Sequence, residues 1–258
     1  MTTVNDIMQH LEALAPQALK MEWDKVGLLC GSRSTSVTKI LVALDPFEHV
    51  CQEAADWGAE LIMTHHPLIF HPLPSVTDET SIGRGILTLC RHGISAVNAH
   101  TNLDCAEGGV NDVLAQKLEL SNISAIPLQG CEGALLRTGT VPEQTLESFL
   151  CHVKNTLGCN GLRYVDGGKP VRKVAVGGGS CAEFLLDALN ADCDTFVTAD
   201  IKYNQFWDAK ELGINFIDAG HFCTENPAIS ILATKIADAF PEIQVKISET
   251  HTDCMKFY

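Results

Sequence analysis

Two adjacent histidines follow an apolar segment in the first third of the chain. Residues Leu61 to Thr64 have the composition of a buried strand, and Pro67, which cannot donate a sheet hydrogen bond, predicts its end just after His65 and His66. Neighbouring side chains of a strand point to opposite faces, but where the chain turns both can face one crevice or hold two adjacent ions. The pair therefore suggests a metal site, and a polar pair in an exposed turn is the alternative.

A histidine with a carboxylate four residues further along the chain occurs twice. His100 is followed by Asp104, and His221 is followed by Glu225, in each case after an apolar segment typical of a strand. Taken singly, either histidine could be a hydrogen-bonded core residue. Glu225 could simply favour the dipole of the helix that Pro227 is predicted to begin.

Taken together, these residues form a set of imidazoles and carboxylates at three predicted strand ends. Nitrogen and oxygen donors without thiolates suit zinc, iron, manganese, cobalt or nickel. An odd number of ligands fits two divalent ions that share one carboxylate, for which we favour Asp104. His100 is the candidate general acid–base group, because its spacing to Asp104 places it beside the metals. The predicted ligands are His65, His66, Asp104, His221 and Glu225.

The elements that carry this set predict an α/β fold with an internal duplication. Residues 39–43 resemble 173–177, residues 60–66 align with 194–200, and residues 93–100 align with 213–221. Predicted helices separate these strands, so each half has the order β-α-β-α-β and ends in one of the two histidine–carboxylate pairs. The identities are few, and chance similarity is the alternative, but the matching order of elements favours duplication.

Composition restricts the classes of function. The net charge of −14 argues against a general nucleic-acid binder, which neutralises phosphates with lysine and arginine. No apolar run reaches membrane-spanning length, and the first residues lack a basic segment followed by an apolar one, so we expect a cytoplasmic location. The eleven cysteines are scattered without a C-x-x-C motif, which favours reduced thiols over disulfides. We assign none of them to the metal.

Five motifs of the chain are Trp23-Asp-Lys-Val-Gly-Leu-Leu29, Thr64-His-His-Pro-Leu-Ile-Phe70, Ala99-His-Thr-Asn-Leu-Asp104, Gly108-Gly-Val-Asn-Asp112 and Gly220-His-Phe-Cys-Thr-Glu225. They resemble the motifs of a known family, the NGG-interacting-factor-three-like family, whose bacterial members carry the name GTP cyclohydrolase 1 type 2 homolog. The resemblance covers nearly the whole chain, and it implies the same five metal ligands and assembly as a toroidal homohexamer. It also implies two intertwined α/β lobes with mixed sheets and the dinuclear site in the cleft between them. We place the first lobe at residues 1–120 and the second at 121–258, with a short central αβ region at 121–170.

Two departures from the family pattern bear on mechanism. This chain has Tyr203-Asn204 where many members have a Tyr-His pair, and Gly178-Gly-Ser-Cys181 where many have Gly-Gly-Ser-Gly. The first removes a histidine that could transfer protons.

The residues and the resemblance favour a metal-dependent hydrolase, in which metal-activated water attacks carbon or phosphorus of a nucleotide-like or other small substrate. Ring opening of a GTP-like base is implied by the family name alone. The alternative is a non-catalytic protein, either a metal-binding one or a ring-shaped scaffold for interaction partners.

Overall fold

The computed structural model describes residues 1–128 and 133–258 and has an α/β fold. Its helices and strands, numbered along the chain, are α1 (Val4–Leu14), β1 (Gly27–Cys30), β2 (Lys39–Ala43), α2 (Glu48–Trp57), β3 (Leu61–Thr64), α3 (Ser81–His92), β4 (Ser95–Asn98), α4 (Thr101–Cys105), α5 (Val110–Lys117), β5 (Ser121–Ile126), β6 (Leu136–Gln144), α6 (Leu146–Leu157), β7 (Arg163–Val165), β8 (Val171–Val176), α7 (Leu185–Asn190), β9 (Thr195–Thr198), α8 (Tyr203–Leu212), β10 (Asn215–Asp218), α9 (His221–Glu225), α10 (Pro227–Ala239) and β11 (Gln244–Ile247).

Each of two compact units is assembled from two separate segments of the chain. Unit 1 comprises Met1–Leu103 and Ile229–Thr252, and unit 2 comprises Asp104–Ala228 and Asp253–Tyr258. The division falls within α4 and within α10, and it differs from the boundary at residue 120 that the sequence predicts. It places Asp104 in unit 2, whereas we expected that residue in the first lobe.

The sheet of unit 1 has the strand order β1-β4-β3-β2-β11. Strands β4, β3, β2 and β11 run parallel, and β1 pairs antiparallel with β4. Every residue of β3 and of β4 is buried, as the apolar runs predict for parallel strands covered on both faces. Helices α2 and α3 end at Gly58 and Gly93, both in the left-handed conformation that glycine adopts without strain.

The sheet of unit 2 has the order β5-β6-β8-β9-β10-β7. Strands β8, β9 and β10 are parallel, and β7 pairs antiparallel with β10 at one side. Unit 1 repeats this arrangement in β2, β3 and β4, which are parallel and are flanked at β4 by the antiparallel β1, and it adds β11 as a fourth parallel strand at the other side. The two topologies therefore agree with the predicted duplication.

The shift of the boundary from residue 120 to 103 follows from the packing of α5. Leu114, Leu118 and Leu120 belong to the same apolar cluster as Phe149 and Val174 of unit 2. An amphipathic helix joins the unit whose core covers its apolar face, and that choice depends on residues far away in sequence.

Strand β11 returns to unit 1, and the partly buried carboxylate of Glu53 holds it there. Glu53 on α2 accepts hydrogen bonds from Ser248 Oγ at 2.5 Å and Thr250 Oγ1 at 2.8 Å, and it pairs with Lys246 Nζ at 3.1 Å. Burial would raise the pKa of Glu53, but these bonds lower it to about 2. The carboxylate is therefore ionised at neutral pH and holds the segment after β11 against α2.

Within residues 1–128 and 133–258, we find no helix with both the length and the apolarity needed to cross a bilayer. The cysteines of this part of the chain carry free thiols in the structure. Cys131 lies outside it.

Candidate metal centre

Three histidines of unit 1 converge at the carboxyl ends of two neighbouring strands. His65 and His66 follow β3, and His100 follows β4 and precedes α4. One ring nitrogen of each lies within 4.8 Å of the others. The ring centroids are 4.9 Å apart for His65 and His66, 5.2 Å for His65 and His100, and 5.5 Å for His66 and His100. We call these residues the histidine cluster.

Each histidine of the cluster is oriented through its Nδ1 atom. His65 Nδ1 lies 2.9 Å from the carbonyl oxygen of Ala99, His66 Nδ1 lies 2.7 Å from Asp45 Oδ1, and His100 Nδ1 lies 2.9 Å from Asp24 Oδ1. A carbonyl oxygen can only accept, so Nδ1 of His65 carries the proton. Ionised carboxylates impose the same tautomer on the other two, which puts the lone pair of each ring on Nε2, the atom that can bind a metal or accept a proton.

Both carboxylates behind the cluster are held ionised by their surroundings. Burial would raise the pKa of Asp24, but hydrogen bonds from His100 and from the side chain and backbone of Thr101 lower it to about 2. Burial would also raise the pKa of Asp45, and hydrogen bonds from His251 and His66 hold it well below its usual range. The two aspartates therefore accept, and do not donate, at neutral pH.

Unit 2 contributes a second group of donors on a short helix. α9 runs from His221 to Glu225, and this spacing places the two side chains on one face, with Nε2 to Oε2 at 3.0 Å. Asp200 Oδ2, just after β9, lies 2.7 Å from His221 Nδ1. Burial would lower the pKa of His221, but its hydrogen bonds with Asp200 and Glu225 raise it to about 11. A metal ion at Nε2 would replace the proton that this pair shares.

The loop after β8 leaves room for Glu225 by having no side chain. A Cβ added to Gly179, whose φ is +62°, would lie 2.0 Å from Glu225 Oε1 and 3.1 Å from His221 Nε2. Only glycine is compatible with both that conformation and that space. The backbone here is thus shaped around the carboxylate and the imidazole.

Asn111 on α5 links the loop after β8 to α4 through two hydrogen bonds. Its Oδ1 accepts from the Gly178 N–H at 2.6 Å, and its Nδ2 donates to the Asp104 carbonyl at 3.2 Å. Burial raises the pKa of the Cys181 thiol, and the charges of Asp104 and Glu225 raise it further. Both predicted carboxylate ligands are therefore near enough to the Cys181 thiol for their charges to raise its pKa.

The departures from the family pattern have different consequences. Tyr203 and Asn204 begin α8 and are exposed, so the missing histidine leaves no gap in a buried network. Cys181 is buried and its thiol donates to the Gly178 carbonyl at 3.2 Å. Because its raised pKa keeps it protonated, Cys181 serves the loop as a small apolar residue with a weak donor.

The structure brings His65, His66 and His100 together in unit 1, and it pairs His221 with Glu225 in unit 2, where Asp104 also lies. Our sequence reasoning missed the orienting carboxylates Asp24, Asp45 and Asp200. Asp45 and Asp200 each come two residues beyond the end of a buried strand, which is a signal that sequence alone offers. The donor set is imidazole nitrogen and carboxylate oxygen, each imidazole bonded behind to an acceptor, and it fits a divalent transition metal.

Comparison with known proteins agrees with the fold and with the resemblance. The model of the Duf34/NIF3 (NGG1p interacting factor 3) family matches residues 2–254. A GTP cyclohydrolase 1 type 2 homolog of Clostridium perfringens is 35% identical over 259 residues, covering 98% of this chain and 99% of its own. A crystal structure of Staphylococcus aureus hypothetical protein SA1388 superposes with a TM-score of 0.92 at 30% identity, covering 99% of both chains. A Bacillus cereus protein related to NIF3 gives 0.93 at 26% identity, with 100% of this chain and 99% of that one covered. The chain therefore belongs to the Duf34/NIF3 family.

Proposed function

We propose that this protein binds two divalent metal ions and uses them as a hydrolase of a small substrate. The observation that carries the proposal is the shared orientation of four histidines. His65, His66, His100 and His221 each place Nδ1 against an oxygen acceptor, at 2.7 to 2.9 Å. Histidines that ligate metals have this second bond almost without exception, because it fixes the tautomer and raises the basicity of Nε2.

The residues that would hold the ions are His65, His66, Asp104, His221 and Glu225, with Asp104 as the shared carboxylate. Ions held there would supply Lewis-acid activation of water and of an electrophilic carbon or phosphorus. His100 would take or give the proton at Nε2. Its Nδ1 is held by Asp24, whose own hydrogen bonds from Thr101 at 2.5 and 3.0 Å fix the carboxylate. This histidine–aspartate arrangement is the one that general acid–base groups use.

The name of the relatives suggests a nucleotide-like substrate, and we extend that suggestion to this chain as an expectation. We also expect a homohexamer, which light scattering on the purified protein measures directly. Six chains of 27.9 kDa give a mass of about 167 kDa, and a monomeric mass would exclude that assembly.

Elemental analysis of untagged protein, purified without chelator, tests the metal site. We expect about two equivalents of transition metal per chain. His66→Ala should lose metal and keep its fold, because His66 is partly exposed and lies beyond the end of β3. His92→Ala is the matched control, since His92 is an exposed histidine on α3, and it should keep its metal. Protein that remains metal-free after reconstitution would refute the proposal.

Turnover separates a hydrolase from a non-catalytic metal protein. The metal-loaded chain is screened for hydrolysis of nucleotides and nucleosides, alongside His100→Ala. We expect activity in the parent chain and its loss in a His100→Ala variant that retains metal. If both proteins are inactive on every substrate while metal is fully bound, the hydrolase assignment fails and the metal-binding assignment stands.

A further inference from the structure

Two thiols of unit 1 meet at its surface, and neither belongs to the predicted metal ligands. Cys30 is the last residue of β1, Cys90 lies near the end of α3, and their Sγ atoms are 3.8 Å apart. Cys90 is exposed and Cys30 is half-buried. A disulfide bond is about 2.05 Å long, so the two sulfur atoms need to approach by less than about 2 Å to form one. We call these two residues the thiol pair.

A bulge in β1 turns Cys30 towards α3. The register with β4 slips by one residue between Leu28 and Cys30, which leaves Leu29 as the extra residue. In a regular strand, Leu29 and Cys30 would point to opposite faces of the sheet. Here both pack against the same apolar cluster, which includes Ile86 and Leu89 of α3. The bulge therefore brings the Cys30 thiol to the helix that carries Cys90.

A third thiol, that of Cys51 on α2, belongs to this apolar cluster but is shielded from solvent. Cys51 is fully buried, and its Sγ donates to the Pro46 carbonyl at 3.4 Å. Burial raises the pKa of Cys51 to about 12, so its thiol is protonated at neutral pH. A dissolved oxidant therefore reaches the thiol pair and not Cys51.

The two members of the thiol pair differ in exposure, which gives them different roles. Burial, and next the neighbouring Cys90, raise the pKa of the Cys30 thiol to about 11. Cys30 is therefore protonated at neutral pH and is a poor first nucleophile. Cys90 is the thiol that a dissolved disulfide meets. Once Cys90 carries a mixed disulfide, its sulfur is already in contact with Cys30, and this proximity replaces a bimolecular collision.

We propose that the thiol pair is a reversible oxidation site that reacts with small disulfides, such as glutathione disulfide, to form a Cys30–Cys90 disulfide. Cys90 attacks one sulfur of glutathione disulfide, the S–S bond of that molecule breaks, and one glutathione leaves with the Cys90 proton. Cys30 then attacks the Cys90 sulfur, and the second glutathione leaves with the Cys30 proton. Two electrons and two protons pass from the chain to glutathione disulfide, and excess glutathione reverses the exchange.

The disulfide would fasten an edge strand to a helix. β1 is the outermost strand of its sheet, with β4 as its neighbour. The two cysteines are 60 positions apart in sequence, so the bond would close a long loop and restrict the unfolded chain. We expect the oxidised protein to melt about 5–10 °C higher than the reduced protein. This inference does not depend on the metal centre, so either proposal can fail while the other stands.

Peptide mapping tests the proposal. Reduced protein, freed of reductant, is incubated without oxygen in glutathione disulfide, alkylated and digested with trypsin. We expect peptides 26–33 and 85–91 to be joined, with a mass two hydrogen atoms below their sum, and to separate again in excess glutathione. Cys90→Ser should lose both the joined peptides and the rise in melting temperature. Cys151→Ser is the matched control, because Cys151 is an exposed cysteine on α6 of unit 2, and it should keep both.

Four results would overturn the proposal. The first is that peptides 26–33 and 85–91 are not joined, and the second is that glutathione remains on Cys90 as a mixed disulfide. The third is that either peptide is joined to peptide 40–84, which contains Cys51. The fourth is that the disulfide forms but the melting temperature does not rise, which would refute the fastening of β1.

Discussion

Asp45→Asn tests whether the carboxylate behind His66 prepares that residue for metal. Asp45 accepts from His66 Nδ1 with one oxygen and from His251 Nε2 with the other. An asparagine has one oxygen and one NH₂ group, so one of the two histidines must face a donor. If His66 faces it, its Nδ1 must become an acceptor and the proton moves to Nε2, where the metal would bind.

The size of the effect follows from the bonds that change. A hydrogen bond to a charged group is worth about 1.5–3 kcal/mol and a neutral one about 0.5–1.5, so the substitution costs roughly 1–1.5 kcal/mol even if the bond survives. Loss of a residue that orients a metal ligand costs about 10–100-fold in affinity. We therefore expect zinc to bind Asp45→Asn at least about tenfold more weakly than the parent chain.

A competition titration with a fluorescent chelator measures the zinc affinity, and ¹⁵N spectra of the metal-free protein report the tautomer of His66. His251→Ala leaves the bond between Asp45 and His66 in place and should change zinc affinity by less than about threefold. Asp194→Asn is a second control, because Asp194 is a buried carboxylate that accepts from the backbone of Arg172 and Lys173. Zinc affinity within threefold of the parent in Asp45→Asn, with His66 still protonated at Nδ1, would refute the reasoning.

Three further predictions concern the stability that Glu53 provides, the space that Gly179 leaves for Glu225, and the proton that His221 releases when metal binds. Glu53→Gln should cost about 2–3 kcal/mol in the free energy of unfolding at pH 7, because the folded-state pKa of Glu53 is lowered to about 2 from the usual 4.5. A carboxyl group with a lowered pKa stabilises the fold above pH 4.5, and this stabilisation is lost as the pH falls towards 2. The free energies of unfolding of the two proteins, measured by urea titration, should therefore converge in acid. A difference that does not change with pH would contradict this. Gly179→Ala should displace Glu225 and lower the metal content per chain. Gly168→Ala is the control and should not lower it, because Gly168 also has a positive φ, +79°, but has open space around an added Cβ. The same metal content in both variants, measured by elemental analysis, would disprove the steric argument. Because the pKa of His221 is raised to about 11, its imidazole is protonated at pH 8, and metal binding should release about one proton from His221. Calorimetry in buffers of different ionisation enthalpy measures the release. Metal binding without proton release would count against His221 as a ligand.

The strands around the site could be predicted from sequence because their signals are local. The apolar runs of β2, β3 and β4 and of β8, β9 and β10 stand in the chain as continuous segments, and glycines mark the ends of α2 and α3. Pro227 correctly predicted the start of α10. Histidines placed directly after such strands were recognisable for the same reason.

The elements that escaped prediction depend on distant partners. β5 and β11 lie at sheet edges and have exposed or partly exposed residues, so neither has a continuous apolar run. The sequence placed Asp104 and Glu225 near strand ends, but it did not predict the one-turn helices α4 and α9 that hold them, because such helices are too short to show a helical period. Asp24 is hydrogen-bonded to His100, which lies 76 positions further along the chain, and no local sequence pattern predicts a contact over that separation.

The return of β11 to the edge of β2 has a consequence for synthesis on the ribosome. Gln244 pairs with Lys39, so the parallel sheet of unit 1 stays incomplete until the chain has been translated beyond residue 247. At about 5–20 residues per second, the apolar β2 would expose an unpaired edge for roughly 10–40 s after it emerges. The segment Asp104–Ala228 is contiguous and is translated in full during that wait. The sheet begun first is thus the sheet completed last, and the nascent sheet of unit 1 is the one that calls for chaperone protection.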